Sequence, residues 1–156
     1  MSTQTLAEFF GEPIHTYTRA QALADGFQVA VPEPITHEAG IRFPVFMTRS
    51  VWDSYVAVPP TAPAGQSEQG RLWDVLFMLR FAIMRQRSCK ADTVTCQLYV
   101  QNHSGKPKLV TLYATCGPVD IDNPAPAITV INESNDRGNP ARKDAGDRSG
   151  RSIFPF

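Results

Sequence analysis

The longest stretch with helical periodicity covers residues 70–87. Placed at intervals of about 100°, its apolar residues fall on one stripe with the i, i+3, i+4, i+7 spacing of a helix that lies on a core. The pattern predicts a central helix about 27 Å long, at ~1.5 Å per residue. The residues of this predicted buried stripe are Leu72, Val75, Leu76, Leu79 and Ile83.

A second stripe of the same predicted helix is aromatic and basic. The most polar side is marked by Arg71, Asp74, Ala82 and Arg85. Because one small domain cannot easily bury both stripes, we expect the second one to contact either another layer of the chain or a partner. The residues of the second stripe are Trp73, Phe77, Arg80, Met84 and Arg87.

Alternating apolar and polar positions predict an antiparallel meander of three strands at residues 93–100, 109–116 and 127–131. Shorter segments at 27–31 and 43–47 also have the character of strands. Helices followed by a meander are typical of an α+β domain. We therefore predict a single α+β domain in which the helix at about 70–87 packs against a small antiparallel sheet.

Shorter helices are predicted before the central one, at residues 1–11, 16–26, 34–39 and 49–57. Residues 58–69 are rich in proline and small side chains, which predicts an extended or mobile linker.

The pairs Thr18-Arg19 and Thr48-Arg49 each place a threonine where a helix is expected to begin. Threonine caps a helix, but a cation in the first turn opposes the helix dipole by about 0.3–1 kcal/mol. Each arginine is therefore expected to face an acid, either within the domain or on a partner. We favour an acid within the domain, where four are available: Asp25, Glu38, Asp53 and Asp74.

The C-terminal part is different in composition. We expect the folded domain to cover residues 1–133 and a disordered, weakly basic tail to cover 134–156, since most of that tail is Gly, Asp, Arg, Asn and Pro. Its apolar group is Ile153, Phe154 and Phe156. Three interpretations stay open: docking into a groove of the same or a neighbouring subunit, capture by a target, or no role.

Charge and cysteine content exclude several classes of protein. The 15 basic residues balance the 15 acidic ones, which removes any whole-chain argument for nucleic-acid or membrane affinity. The longest apolar run is too short to cross a bilayer, and no signal peptide opens the chain, so we expect a soluble cytoplasmic protein. Three cysteines without CxxC spacing indicate neither a disulfide framework nor a structural metal site.

Candidate catalytic residues are few. Cys116 could be read as an exposed nucleophile with His103 or His15 as its base, but a cysteine at a strand end is more often buried. The histidines lie far apart, and His37-Glu38 are adjacent residues that point apart on a helix, so no metal is expected. The chain has no GxGxxG, GxxxxGK[ST] or HExxH motif. We predict a protein that is not an enzyme and has no cofactor.

Several short stretches together resemble a known family. They are Phe10-Gly-Glu with Tyr17-Thr-Arg-Ala-Gln-Ala-Leu-Ala-Asp-Gly26, Phe43-Pro-Val with Thr48-Arg-Ser-Val-Trp52, Gly70-Arg-Leu-Trp-Asp-Val-Leu76 with Met78, and Cys116-Gly-Pro118 followed by Ile128-Thr-Val130. Over residues 10–133 the chain is similar to an uncharacterised family, a domain of unknown function, of small proteins encoded on plasmids, integrative elements and phages. The resemblance implies a mobile-element protein working inside a bacterium and transfers no activity or site residues.

We therefore expect a non-catalytic binding protein of a mobile genetic element. The leading interpretation is a counter-defence inhibitor of the anti-CRISPR or antirestriction type, whose partner is a host bacterial protein or protein complex, including complexes that contain nucleic acid. The alternative is a DNA-associated accessory factor of plasmid or phage maintenance, whose arginines would track phosphates. No membrane partner is expected, and a homodimer is compatible with the sequence. The candidate partner-binding residues are Arg19, Arg49, Trp73, Arg80, Arg85, Arg87, Phe154 and Phe156.

Overall fold

The computed structural model describes residues 17–86 and 92–132. The helical turn predicted at 1–11 and the predicted tail lie outside these ranges. The helices are α1 (Arg19–Ala24), α2 (Glu33–Glu38), α3 (Arg49–Val51), which continues as a π-helix (Trp52–Val56), and α4 (Glu68–Arg85). The strands are β1 (Gln28–Ala30), β2 (Val45–Thr48), β3 (Thr93–Val100), β4 (Lys108–Asp120) and β5 (Asn123–Asn132).

The strands form one five-stranded sheet with the order β1-β2-β5-β4-β3. All neighbours are antiparallel except β2 and β5, which are parallel. The predicted α+β class is confirmed, and the sheet is larger than the predicted three-stranded meander. It gains two strands because β1 and β2 join it along β5, a pairing between distant segments that local periodicity does not reveal.

Helix α4 packs the predicted stripe into the core. All five of its predicted buried residues are at most 7% exposed, and the even-numbered residues of β3 are buried beneath them. Among the strands, α4 contacts β3 most, so it lies over the edge of the sheet. The helix begins two residues earlier than predicted because the Ser67 hydroxyl accepts a hydrogen bond from the Gly70 N–H (3.1 Å).

Strands β4 and β5 extend beyond the predicted strands at 109–116 and 127–131, into residues 117–126, where no strand was predicted. The N–H groups of Cys116 and Ile128, which are opposite each other, point outward to Asp92 and Pro44. Two residues further along, Pro118 and Pro126 are also opposite each other, so their nitrogens face outward too. As described, β2 begins at Val45 and β3 at Thr93, so neither strand extends beside the two prolines, and their missing N–H groups interrupt no ladder bond of these strands.

The predicted threonine caps are confirmed at both short helices. Thr18 and Gln21 form a reciprocal capping box, and the Thr48 hydroxyl accepts from the Val51 N–H. The helix predicted at 49–57 differs from expectation, since its second half is a π-helix in which the Ala57 N–H donates to the Trp52 carbonyl (2.8 Å). In the described part of the chain, no helix has the length and apolar character needed to cross a membrane.

Candidate partner-binding surface

The outward side of α4 carries three large apolar side chains, Phe77, Phe81 and Met84, which we call the outer stripe. They are 54%, 46% and 66% exposed, respectively. Their i, i+4, i+7 spacing places them one above another on a single helix face, opposite the buried stripe. The outer stripe is thus a continuous apolar strip on an 18-residue helix that the core holds in place.

Two arginines flank the outer stripe. The Arg85 guanidinium carbon lies 5.3 Å from the centre of the Phe81 ring, within cation–π range. Arg80, on the other flank, lies against Gly40 at the end of α2, so closely that a Cβ at residue 40 would be 2.7 Å from Arg80 Nε. Gly40 also has a φ of +81°, which favours glycine. Both predicted cations therefore have defined positions beside the stripe.

Trp73, the predicted aromatic candidate, lies one turn before Phe77. It is half-buried and packs against the hydrophobic core. Phenylalanine, tryptophan, methionine and arginine are enriched in protein interfaces, and tryptophan and arginine are also enriched among the residues that dominate binding energy. Trp73, Arg80 and Arg85 therefore lie around the outer stripe. Together with Phe77, Phe81 and Met84 they are residue types that are common in protein interfaces. Phe77 and Met84 belong to the predicted second stripe, whereas Phe81, which lies between the apolar and polar sides of the helix, was not predicted.

Arg19, another predicted candidate, lies on the opposite side of the sheet from α4. Its Nη1 donates to Gln28 Oε1 (2.9 Å) and Thr129 Oγ1 (3.1 Å), and its guanidinium lies 4.2 Å from the centre of the Phe46 ring. Burial lowers the pKa of the guanidinium, and the charge of Asp120 opposes that shift. Arg19 thus stabilises the packing of α1 on the sheet. A role in partner binding stays a prediction.

Asp120 is the acid that offsets Arg19, in place of the four considered from the sequence. Its carboxylate oxygens accept from the backbone N–H groups of Arg19 (3.2 Å) and Ala20 (3.0 Å), at the positive end of α1. Hydrogen bonds from the N–H groups of Ile121 and Ala20 hold the pKa of Asp120 below its ordinary value. Asp120 was not among the predicted acids because β4 was predicted to end four residues earlier, at residue 116.

Arg49 has an internal acidic partner, as the sequence favoured. Its Nη1 lies 3.9 Å from Asp53 Oδ1, and its Nε donates to the Gly26 carbonyl (2.9 Å). The exposed ion pair stabilises the protein little, and the bond to Gly26 links α3 to the turn after α1. The remaining predicted candidates, Arg87, Phe154 and Phe156, lie outside the described residues.

Arg71 was predicted to mark the most polar side of the central helix. That prediction is wrong, since the side chain is only 7% exposed. Its Nε donates to the Tyr55 carbonyl (3.0 Å) and its Nη2 to the Asn102 side-chain oxygen, while Asn102 Nδ2 donates to the Ser54 carbonyl (3.0 Å). Arg71 and Asn102 thereby satisfy the last carbonyls of the π-helix. Burial lowers the pKa of Arg71, with the Asp74 charge opposing. Helical spacing could not show this, because its partners are 16 and 31 positions away.

The cysteines within the described ranges are buried. Burial raises the pKa of Cys96 to about 11. The pKa of Cys116 is also raised, mainly by burial and to a lesser extent by the negative charge of Asp92. Both thiols are therefore protonated at neutral pH and are weak nucleophiles. His103, the considered base, has its Nδ1 3.0 Å from Thr61 Oγ1, and His15 lies outside the described residues. Among residues 17–86 and 92–132 no three His, Cys, Asp or Glu side chains could hold a metal ion together.

The chain belongs to a family of unknown function, DUF6573, whose model matches residues 6–136. No curated protein and no solved structure matches the chain. The predicted resemblance to a domain of unknown function is thereby confirmed. The whole sheet, α4 and the outer stripe fall inside the matched range, so the candidate surface is part of the family's domain.

Proposed function

We propose that this member of the family is a non-catalytic binding protein of a mobile genetic element, which occupies a host protein complex through the outer face of α4. The outer stripe carries the proposal: Phe77, Phe81 and Met84 are about half exposed or more on a rigid helix, between Arg80 and Arg85. A counter-defence role of the anti-CRISPR or antirestriction type rests on the resemblance to proteins of plasmids, integrative elements and phages.

The outer stripe supplies enough apolar surface to anchor a partner. A phenylalanine buries roughly 150–250 Å² in total, so about half of that area is free on each ring. At ~25 cal/mol per Å², covering the rings of Phe77 and Phe81 would contribute roughly 4–6 kcal/mol before the costs of association. The partner that fits is a protein with an apolar groove whose rim carries carboxylates facing Arg80 and Arg85.

The same surface suits a nucleic acid less well. A duplex would offer phosphates to the two arginines but would leave the apolar rings without a matching apolar surface. Stacking of single-stranded bases on Phe77 or Phe81 is the form in which the DNA-associated alternative could use this face. The two functions differ in their dependence on salt and on nuclease, and both dependences can be measured directly.

The test is capture of host proteins from a nuclease-treated bacterial lysate on the immobilised full chain. The variant Phe77→Ser with Phe81→Ser removes the centre of the outer stripe. The matched control, Tyr99→Ser with Leu109→Ser, removes two side chains that are 70% and 53% exposed on the other face of the sheet. We expect the wild-type chain and the control to retain a host protein, and the stripe variant to bind it about 30-fold or more weakly.

Two results would contradict this function. Loss of every partner upon nuclease treatment, together with a steep fall of affinity as salt rises, would support the DNA-associated factor instead. Equal binding by the stripe variant and the control would show that the outer face of α4 is not the contact surface.

A further inference from the structure

A groove of about 490 Å³ separates the C-terminal half of α4 from the outer edge of β3. Its helix wall consists of Met78, Phe81, Ala82 and Arg85, and its other wall consists of β3 residues 93–97. Because β3 is the edge strand and α4 lies over it, the flank of the helix overhangs the space where a sixth strand would lie. The volume is within the range of about 300–1,000 Å³ typical of ligand pockets.

Among the described residues, no strand pairs with the outer edge of β3, so its backbone ladder is open to the groove. The Cys116 N–H donates to the Asp92 carbonyl, so the backbone N–H and C=O groups of the even-numbered β3 residues point toward β4. The N–H and C=O groups of Thr95 and Gln97 therefore point into the groove. Natural edge strands are usually protected by charged residues, prolines or bulges, and Thr93–Val100 contains no charged residue or proline. An exposed ladder beside an apolar wall is the arrangement that accepts an added strand.

A second copy of this chain does not fit the groove by symmetric pairing of two β3 edges. Paired strands lie about 4.8 Å apart, and each copy would carry its own α4 above β3. Two packed helices need about 8–10 Å between their axes. The occupant is therefore an extended segment without a helix above it.

We propose that residues 153–156 of the same chain dock in this groove as an added strand. Asn132, the last residue of β5, is in register with Leu112, which is in register with Cys96 in the groove wall. Two strand spacings make that distance roughly 10 Å. Residues 133–152 form a 20-residue connection, and a flexible chain of that length spans roughly 25 Å on average. The connection is therefore long enough for residues 153–156 to reach the groove.

The chemistry of the segment matches the groove. Residues i and i+2 share one face of a strand, so Phe154 and Phe156 would both face the helix wall at Met78 and Phe81. Pro155 has no N–H to donate, so it must lie at a position whose nitrogen faces away from β3. The preceding residues 134–152 are mostly polar and glycine-rich, and suit a tether. Tethering also gives a local concentration in the millimolar range, which lets a short strand dock.

The experiment is amide hydrogen exchange measured by NMR on the full chain. The informative amides are Thr95 and Gln97, whose N–H groups face the groove. We expect them to exchange about tenfold or more slowly in the wild type than in the variant Phe154→Ser with Phe156→Ser. The groove-filling variant Ala82→Trp should have the same effect as the serine variant. The control Ile121→Ser, which removes a side chain that is 57% exposed elsewhere, should leave the exchange unchanged.

Equal exchange of Thr95 and Gln97 in the wild type and the serine variant would overturn the proposal. Protection that rises with protein concentration, with a doubled mass in light scattering, would assign the groove to a second copy and would also overturn it. Protection that is lost in Phe9→Ser with Phe10→Ser, but kept in the serine variant, would assign it to the N-terminal segment. None of these outcomes depends on the identity of a host partner, so they are independent of the proposed function.

Discussion

Adjacent residues of α4 are expected to differ sharply in their contribution to stability. Leu76 is 0% exposed and Phe77 is 54% exposed, one helical position apart. Replacing Leu76 with alanine removes buried methyl groups and leaves a cavity in the core, which costs about 2–5 kcal/mol. Replacing Phe77 with alanine changes a side chain with few buried contacts, and we expect a change within about 0.5 kcal/mol.

Urea unfolding followed by circular dichroism measures both variants. The Leu76→Ala midpoint should fall with an unchanged slope, since the surface exposed on unfolding is nearly the same. Phe77→Ala should have a midpoint close to that of the wild type. The pair is a matched control because both changes occur in the same helix and both end in alanine, the residue with the highest helix propensity.

A loss below about 0.5 kcal/mol for Leu76→Ala would refute the placement of α4 on the core. A loss for Phe77→Ala as large as that for Leu76→Ala would show that the outer stripe is covered in the folded protein, and would remove the basis of the proposed binding surface. The comparison thus tests the fold and the candidate site together.

Three further changes test single contacts. Gly40→Ala should destabilise the protein by about 1–2 kcal/mol in urea unfolding, because alanine is strained at a φ of +81° and its Cβ meets the Arg80 side chain. Adding Arg80→Ala to this variant should relieve the steric contact but not the backbone strain. Asp120→Asn should make the urea midpoint less sensitive to acid. The folded state lowers the pKa of Asp120 below its ordinary 3.8, so the ionised carboxylate stabilises the fold above pH 3.8, and this stabilisation is lost as pH falls through the lowered pKa. The pKa of Cys96 is raised from 9.0 to about 11, so its thiol contributes stability that is fully present below pH 9 and is lost as pH rises toward 11. The free energy of unfolding of the wild type, relative to that of Cys96→Ala, should therefore fall by roughly 2–3 kcal/mol between these two pH values.

The features that could be predicted from sequence are those set by local periodicity. The buried stripe of α4 and the bounds of β3 follow from repeats of about 3.6 and 2 residues, because a single face of each element meets the core. Periodicity identifies the buried face of an element but not the element it packs against. The parallel pairing of β2 with β5 therefore could not be predicted, since Val45 and Ile128 lie far apart in the chain.

The candidate site shows the same limit. Arg80 and Arg85 were named as partner-binding candidates because they lie beside aromatic residues at helical spacing, and that role stays a prediction. The burial of Arg71 could not be predicted, since it depends on distant acceptors of its hydrogen bonds, here the Tyr55 carbonyl and the Asn102 side chain. The exposure of Phe81 was also missed, because its helical position lies between the apolar and polar sides of the pattern.

The outer stripe and the groove share Phe81, and Arg85 lies beside both, so the two proposals together predict that tail docking and partner binding exclude each other. If docking slows the exchange of Thr95 and Gln97 about tenfold, only about a tenth of the molecules have a free groove at any moment. The apparent affinity for the host protein is then reduced by that fraction. Releasing the segment with Phe154→Ser and Phe156→Ser should therefore tighten binding about tenfold, as measured by calorimetry with the captured host protein, whereas Ile121→Ser should not change it. Unchanged affinity in a serine variant that has lost its amide protection would show that the partner binds α4 without covering Phe81.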